Sequence, residues 1–198
     1  MLDPILIIKT AGLLGIFLIV FSESGLFFGF FLPGDTLLFA AGIFAFQGLF
    51  PLTLLIGIIA VAAILGGNVG YWSGKNMGRK LFERDASFFF NKNRVYDVEK
   101  FYQKHGPITI IVSRFIPLLR TFSPIVAGVG LMKYKTFAVH NIIGGLLWAT
   151  IIPMLGYYFG RLIPNPDQFV LPVAILVLGV SFLPFFVKMV HYFISKSK

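Results

Sequence analysis

Apolar residues fill most of the chain in long stretches, which isolated polar residues, prolines and glycines interrupt. The apolar stretches cover roughly residues 11–66, 107–131, 136–160 and 169–190. A helix needs about 20 apolar residues to cross the hydrocarbon core of a bilayer. Uninterrupted segments of about that length lie at roughly 52–74, 136–160 and 168–190. The pattern predicts a transmembrane helix in each of these segments.

The remaining apolar sequence is cut into shorter pieces by helix-breaking residues. Pro33 and Gly34 interrupt the first region, and Pro117 and Pro124 interrupt the region that begins near residue 107. Pieces of about 10–14 apolar residues are more typical of re-entrant segments than of complete spans. Non-helical backbone at membrane depth is tolerated where protein buries it or where it lines a wet cavity. We therefore predict two broken-helix hairpins that enter the membrane and line a cavity.

The two halves of the chain share a pattern at an offset of 86 positions. An Ala-Gly pair at 41–42 recurs at 127–128, and GYWSG at 70–74 recurs as GYYFG at 156–160. Each half, at about 11–75 and 107–161, is interpreted as a hairpin followed by a long helix. If the first motif ends its helix inside the cell and the second ends its helix outside, the halves have inverted topology, as in many secondary transporters.

Positive charge is concentrated between the two halves. The formal net charge is +9, and eight of the 17 Lys and Arg residues lie between positions 75 and 104. In so apolar a chain, this cluster indicates a cytoplasmic loop near anionic lipid head groups, not a nucleic-acid site. Within this linker, 76–106, apolar residues from Val95 to Tyr102 share one face of a predicted amphipathic helix. That helix lies either in the head-group layer or against the protein.

The composition favours one all-α membrane domain over residues 1–198. Hydrophobic residues make up 57% of the chain, and the mean hydropathy is +0.86, far above the values of soluble domains. The chain has no cysteine, which excludes disulfides and thiolate ligands. Its three histidines lack ligand spacing, so we expect no metal and no cofactor.

Four charged residues lie inside the predicted hairpins: Glu23, Asp35, Arg114 and Arg120. A charged residue at the centre of a membrane helix costs about 2.5–3.5 kcal/mol on insertion scales. Two acids and two bases suggest mutual neutralisation. The four residues are therefore either structural ion pairs or, as is common for charges at membrane depth, a functional site.

The two arginines offer a site for phosphate. Six positions separate Arg114 from Arg120, so a continuous helix would point them apart, whereas a break at Pro117 lets them converge. Two guanidiniums bind phosphate in a bidentate way that lysines do not reproduce. Glu23 and Asp35 would take up protons and compete for the arginines. Asn68, in a predicted span, either lines the pathway or forms a hydrogen bond between helices.

Two stretches carry a resemblance to a known family. ESGLFFGFFLPGDTLLFAAG and SRFIPLLRTFSPIVAG resemble the DedA family of bacterial membrane proteins, also called SNARE-associated or VTT-domain proteins. The resemblance implies two opposed re-entrant hairpins. It also implies transport of undecaprenyl phosphate across the cytoplasmic membrane, with dependence on the proton motive force.

By motif, Glu23 and Asp35 are similar to the acids that are essential in the family, and Arg114 and Arg120 to its essential arginines. Many members have a further proline between the first acid and the PGD motif, where this chain has Gly29 and phenylalanines. We expect a multi-pass lipid translocase whose partners are a phosphorylated polyprenyl lipid, anionic membrane lipids and protons. The alternative is a proton-coupled exporter of cations or drugs. An enzyme such as a lipid phosphatase is disfavoured, because no histidine adjoins the arginine pair.

Overall fold

The structure is a computed structural model that describes residues 4–26, 34–78, 106–130 and 132–162. All regular elements in these ranges are helical. The helices are α1 (Pro4–Gly25), α2 (Gly34–Phe46), α3 (Leu52–Ser73), α4 (Ile108–Ser113), α5 (Pro117–Val129) and α6 (Tyr134–Leu162). A π-helical turn, Gly74–Gly78, continues α3. Most of the predicted linker helix and the whole predicted final helix at 168–190 lie outside the described residues.

Two of the described helices, α3 and α6, are long and apolar enough to cross a membrane. They contain 22 and 29 residues, so each is at least about 33 Å long at 1.5 Å per residue. Their positions agree with the spans predicted at 52–74 and 136–160.

The two long helices run antiparallel. Tyr71, near the C-terminal end of α3, stacks on Phe137, near the N-terminal end of α6, with ring centroids 4.6 Å apart. One turn further into the bundle, the Asn141 amide donates to the Ile64 carbonyl across 3.1 Å. The GYWSG and GYYFG motifs, which lie at the C-terminal ends of α3 and α6, are therefore at opposite ends of the bundle.

The short helices α2 and α5 each pack along the long helix of the other half of the chain. Each contains 13 residues, about 20 Å at 1.5 Å per residue, which is too short to cross a bilayer. Gly42 of α2 lies against the backbone of Pro153 in α6, and Gly128 of α5 lies against the backbone of Tyr71 in α3. Small residues allow this close approach between apolar helices. The repeated Ala-Gly pairs are therefore the packing points of the two short helices.

The start of α2 and the break between α4 and α5 lie level with the middles of the long helices. Asp35, in the first turn of α2, accepts a hydrogen bond from Trp148, which is the central residue of α6. Arg114, in the break between α4 and α5, donates to the carbonyl of Ala63, which is at the centre of α3. The start of α2 and the break between α4 and α5 therefore both lie about halfway along the bundle.

The prolines of the second hairpin have different roles from those predicted. The chain leaves helical geometry between Ser113 and Pro117, and Pro117 is the first residue of α5. The predicted break at Pro124 is wrong, because α5 continues through it. Gly70 of α3 faces the Pro124 ring and leaves room for it between the two helices.

The first hairpin has a longer first limb than its apolar run suggested. Helix α1 is continuous from Pro4 to Gly25, and its C-terminal part packs closely on α3, where Gly25 meets Gly66. Gly34 is the first residue of α2, whereas Pro33 lies outside the described residues. Helices α1 and α2 are thus the described parts of the predicted first hairpin, and residues 27–33 between them lie outside the described residues.

Candidate functional site

Arg120 forms ion pairs with both acids of the first hairpin. Its Nη2 pairs with Glu23 Oε1, near the end of α1, and its Nη1 donates to Asp35 Oδ1 across 2.6 Å. Charge-assisted hydrogen bonds of this kind are about twice as strong as neutral ones. Arg120 and Glu23 are each 2% exposed, whereas the side chain of Asp35 is 36% exposed. Asp35 is thus the accessible member of a buried cluster.

Trp148 contacts both members of the accessible ion pair. Its ring lies under the Arg120 guanidinium, with 4.4 Å from Cζ to the ring centroid, and its Nε1 donates to Asp35 Oδ1 across 2.9 Å. A desolvated cation–π contact stabilises by about 2 kcal/mol. Trp148 was not among the residues predicted for the site. Its position in a predicted span was the signal that could have identified it. A buried indole N–H needs an acceptor, and the predicted carboxylates are acceptors.

The N-terminal end of α2 meets the Glu23 carboxylate directly. A Cβ atom at Gly34 would overlap Glu23 Oε2 and lie 2.6 Å from its Cδ. Only glycine therefore fits between the two helices at this point. The partial positive charge of a helix N-terminus favours a neighbouring carboxylate, so this contact helps to hold Glu23 in the site.

Arg114 is buried beside this cluster but has different partners. Its Nη2 donates to the Ala63 carbonyl across 3.0 Å and to Asn141 Oδ1 across 2.5 Å. Its guanidinium lies in space left by glycines of α3 and α6, including Gly67 and Gly145. The ion pairs found among the described residues do not include Arg114. Its positive charge is therefore held by neutral groups.

Asn141 links the Arg114 guanidinium to both long helices. Its side-chain oxygen accepts from Arg114, and its amide donates to Ile64 of α3. This residue was also missed in the sequence. It lies seven positions before Trp148, which places both on one face of α6, and that spacing was the signal that could have identified them together.

The predicted mutual neutralisation of two acids and two arginines is wrong in its pairing. Both acids pair with Arg120, and the break between α4 and α5 turns Arg114 towards α3 and α6 instead. Both arginines are nevertheless buried, with 3% of Arg114 and 2% of Arg120 exposed. Within the described part of the chain, Arg114 Nη1 and Arg120 Nε are buried without a hydrogen-bond partner. The site therefore retains donor capacity for an anion.

Asn68 forms a contact between the two long helices. Its side-chain oxygen accepts a 3.5 Å hydrogen bond from the Tyr134 hydroxyl, near the end of the bundle where α6 begins. This geometry agrees with the interpretation of Asn68 as a residue that links helices.

Together, the fold and the buried ionic cluster define a helical membrane protein with a charged site at the centre of its bundle. The sequence matches the VTT domain over residues 32–158. The chain therefore belongs to the DedA family of membrane proteins, of which this domain is characteristic. The matched range includes Asp35, Arg114 and Arg120, and Glu23 precedes it.

The chain is similar to relatives over most of their length. It is 40% identical over 179 residues to protein DedA of Escherichia coli (strain K12), covering 89% of this chain and 81% of the relative. It is 37% identical over 180 residues to an uncharacterised membrane protein of Mycobacterium leprae (strain TN), covering 91% and 80%. It is 32% identical over 176 residues to inner membrane protein YqjA of Escherichia coli (strain K12), covering 84% and 79%. No solved structure matches the chain.

Proposed function

We propose that the protein is a translocase that moves undecaprenyl phosphate, or a similar anionic lipid, across the bacterial cytoplasmic membrane. The observation that carries this proposal is the position of Arg120, which is buried between two carboxylates and lies against Trp148, at the middle of the membrane-length helix α6. A fixed positive charge at this depth is costly unless an anion accompanies it. A phosphate head group is an anion that would replace a carboxylate there.

The proposal places both broken hairpins inside the membrane as re-entrant elements. The short helices α2 and α5 support this placement, and so does the break between α4 and α5, since such backbone survives at membrane depth only inside protein or beside a wet cavity. The antiparallel long helices support an inverted arrangement of the halves. The basic residues between 75 and 104 put the end of α3 on the cytoplasmic side.

Exchange of anions at Arg120 is the central step of the proposed mechanism. Removing one partner of a buried ion pair costs about 3–5 kcal/mol, because the other charge is left uncompensated. Replacing a carboxylate by a phosphate oxygen avoids that cost, since Arg120 stays paired throughout. Asp35 is the carboxylate that gives way, because its side chain is 36% exposed while Glu23 is buried.

Arg114 supplies the second positive charge. A phosphate monoester carries about −1.5 to −2 charges at pH 7, more than one guanidinium neutralises. Arg114 has no acidic partner among the described residues and keeps Nη1 unpaired. Uptake of a proton by the buried Glu23 carboxylate as the phosphate arrives would couple lipid movement to a proton gradient. The proposal includes no covalent chemistry and no cofactor.

The test is a leaflet-exchange assay in liposomes with a labelled polyprenyl phosphate, with and without a pH gradient. We expect Arg120→Ala to abolish the exchange due to the protein, because it removes the anion site. Arg161→Ala is the matched control, since Arg161 is exposed at the end of α6 and should be replaceable. Unchanged exchange in the Arg120 variant would refute the proposed function.

A proton-coupled exporter of cations or drugs is the second candidate. It is favoured by one feature, the net charge of −1 on the cluster of Glu23, Asp35 and Arg120 when both acids are ionised. In such an exporter the acids bind the substrate and Arg114 is structural, so Arg114→Lys would be tolerated while Glu23→Gln would not. A lipid translocase is impaired by both substitutions, because lysine loses the planar guanidinium.

A further inference from the structure

Two hydrogen-bond donors converge on a single oxygen in the ionic cluster. Asp35 Oδ1 accepts from Arg120 Nη1 across 2.6 Å and from Trp148 Nε1 across 2.9 Å. The donors come from α5 and α6, whereas the acceptor lies on α2. Arg120 and Trp148 are both buried, while Asp35 is half-buried and reachable. The donors thus form a fixed pocket for an oxygen anion, and the carboxylate is its replaceable occupant.

We propose that this pocket is the subsite for one oxygen of the lipid phosphate and that Asp35 Oδ1 occupies the pocket when the lipid is absent. The identity of the lipid rests on the proposed function above. Trp148 is then a substrate-binding residue, because its indole N–H becomes the second donor to the phosphate. A carboxylate oxygen and a phosphate oxygen have the same charge character and accept the same donors.

The Trp148 ring has a separate role in the same exchange. It lies against the face of the Arg120 guanidinium. This contact is the same whether the guanidinium nitrogens bind the Asp35 carboxylate or the phosphate. The ring therefore holds Arg120 in position while one anion leaves and the other arrives. Phenylalanine keeps this aromatic face and removes only the N–H, so Trp148→Phe isolates the donor.

The effect of that substitution should depend on Asp35. With Asp35 present, loss of the indole N–H weakens the carboxylate and the phosphate equally, so the affinity for lipid changes little. With Asp35→Ala the pocket is empty, and only the bound phosphate loses a hydrogen bond. This dependence separates a donor to the substrate from a residue that merely packs in the core.

The experiment measures equilibrium binding of labelled polyprenyl phosphate to the full chain in nanodiscs. We expect Trp148→Phe to weaken binding about tenfold in the Asp35→Ala background, as for a hydrogen bond to a charged group. The same change should weaken it less than about twofold when Asp35 is present, because the two losses cancel. Equal affinities with and without the indole in the Asp35→Ala background would overturn the inference. If Asp35→Ala does not fold, Asp35→Ser provides the same comparison.

Trp72 provides the matched control and an optical readout. The chain has two tryptophans, and Trp72 is 43% exposed on α3, so Trp72→Phe should leave binding unchanged. In the Trp72→Phe, Asp35→Ala double variant Trp148 is the sole indole and its N–H lacks the carboxylate, so its fluorescence should change when phosphate enters the pocket. An unchanged emission at saturating lipid would contradict direct contact.

A parallel titration with inorganic phosphate distinguishes the lipid from the phosphate alone. Binding of inorganic phosphate with the same dependence on Trp148 supports the subsite, even if leaflet exchange of the lipid is absent. That combination would overturn only the proposed function. The opposite result is that Trp148→Phe leaves lipid affinity unchanged in the Asp35→Ala background while the protein still exchanges lipid between leaflets. That result would overturn the subsite and leave the proposed function standing.

Discussion

At the residue scale, Arg120 uses three features of its side chain at once. Two nitrogens pair with Glu23 and Asp35, and the flat face of the guanidinium lies on Trp148. A lysine ammonium is a compact point charge that cannot reproduce a planar fork and a stacked face together. The site therefore depends on the shape of the cation as well as on its charge.

We predict that Arg120→Lys lowers the exchange of polyprenyl phosphate about 100-fold, because at least one charge-assisted hydrogen bond of about 1.5–3 kcal/mol and the stacked contact are lost. Arg161→Lys is the control, and it should retain the wild-type rate. The measurement is the exchange rate per protein in liposomes of matched protein content. A fully active lysine variant would show that charge alone suffices.

We also predict a contrast between two asparagines of the long helices. Asn141→Ala should lower the free energy of unfolding by about 1–3 kcal/mol, because it leaves the buried Arg114 guanidinium with one acceptor fewer. Asn68→Ala should change it by less than about 0.5 kcal/mol, since Asn68 makes one long hydrogen bond to Tyr134 near the bundle end. Thermal unfolding in detergent measures both variants. Equal losses would contradict the assigned role of Asn141.

The sequence revealed the four charged residues of the site but not their neutral partners. A charge in an apolar stretch stands out because its burial is costly, so Glu23, Asp35 and the arginines were identifiable. Trp148 and Asn141 are both compatible with a membrane span, so the sequence does not distinguish them from other residues of the span. Their role is visible only in the fold, which brings them into contact with the two arginines. The choice of Arg120 over Arg114 as partner of both acids depends on the path of the chain between α4 and α5.

At the element scale, the same residue type has opposite consequences in different surroundings. Pro117 begins α5 because the first position of a helix tolerates proline, whereas Pro124 sits within the helix opposite Gly70. The sequence alone could not separate these cases, since the difference lies in what α3 presents to α5. The two long helices were predictable, because the length of each follows from an uninterrupted apolar stretch in the sequence.

The contact of α2 with α6 leads to a prediction for glycine. A Cβ at Gly42 would overlap the carbonyl oxygen of Pro153 and lie 2.9 Å from the backbone nitrogen of Tyr157. Gly42→Ala should therefore push the helices apart and lower the free energy of unfolding by about 1–3 kcal/mol. Gly57→Ala in α3 is the control, because nothing lies within 4 Å of its Cβ position. The prediction is contradicted if Gly42→Ala, like Gly57→Ala, melts at the wild-type temperature.

At the scale of the whole molecule, the antiparallel long helices put the ends of α3 and α6 at opposite ends of the bundle. From the repeat and the basic residues between 75 and 104, the sequence predicts halves of inverted topology, and their sidedness in the membrane stays a prediction. It could not show that each short helix packs on the long helix of the other half. This packing between the two halves brings Glu23 and Asp35 to Arg120, although these residues are far apart in the chain.

The absence of cysteine allows a direct test of the orientation. Asn76 and Arg161 are exposed near the ends of α3 and α6, so single cysteines there report on the two faces of the membrane. We expect a membrane-impermeant maleimide to label Arg161→Cys in intact cells and to label Asn76→Cys only after the membrane is opened. Labelling of both sites from outside would contradict the inverted arrangement.

The central claim is that the buried guanidinium of Arg120 binds the phosphate of a lipid halfway through the membrane. Its most direct test compares leaflet exchange of a labelled polyprenyl phosphate with that of the uncharged polyprenol, in liposomes that contain the wild-type chain. The account predicts that the protein accelerates exchange of the phosphate and leaves the polyprenol at the rate of protein-free liposomes. Equal acceleration of both lipids would contradict it, because the charged cluster would then have no part in recognition.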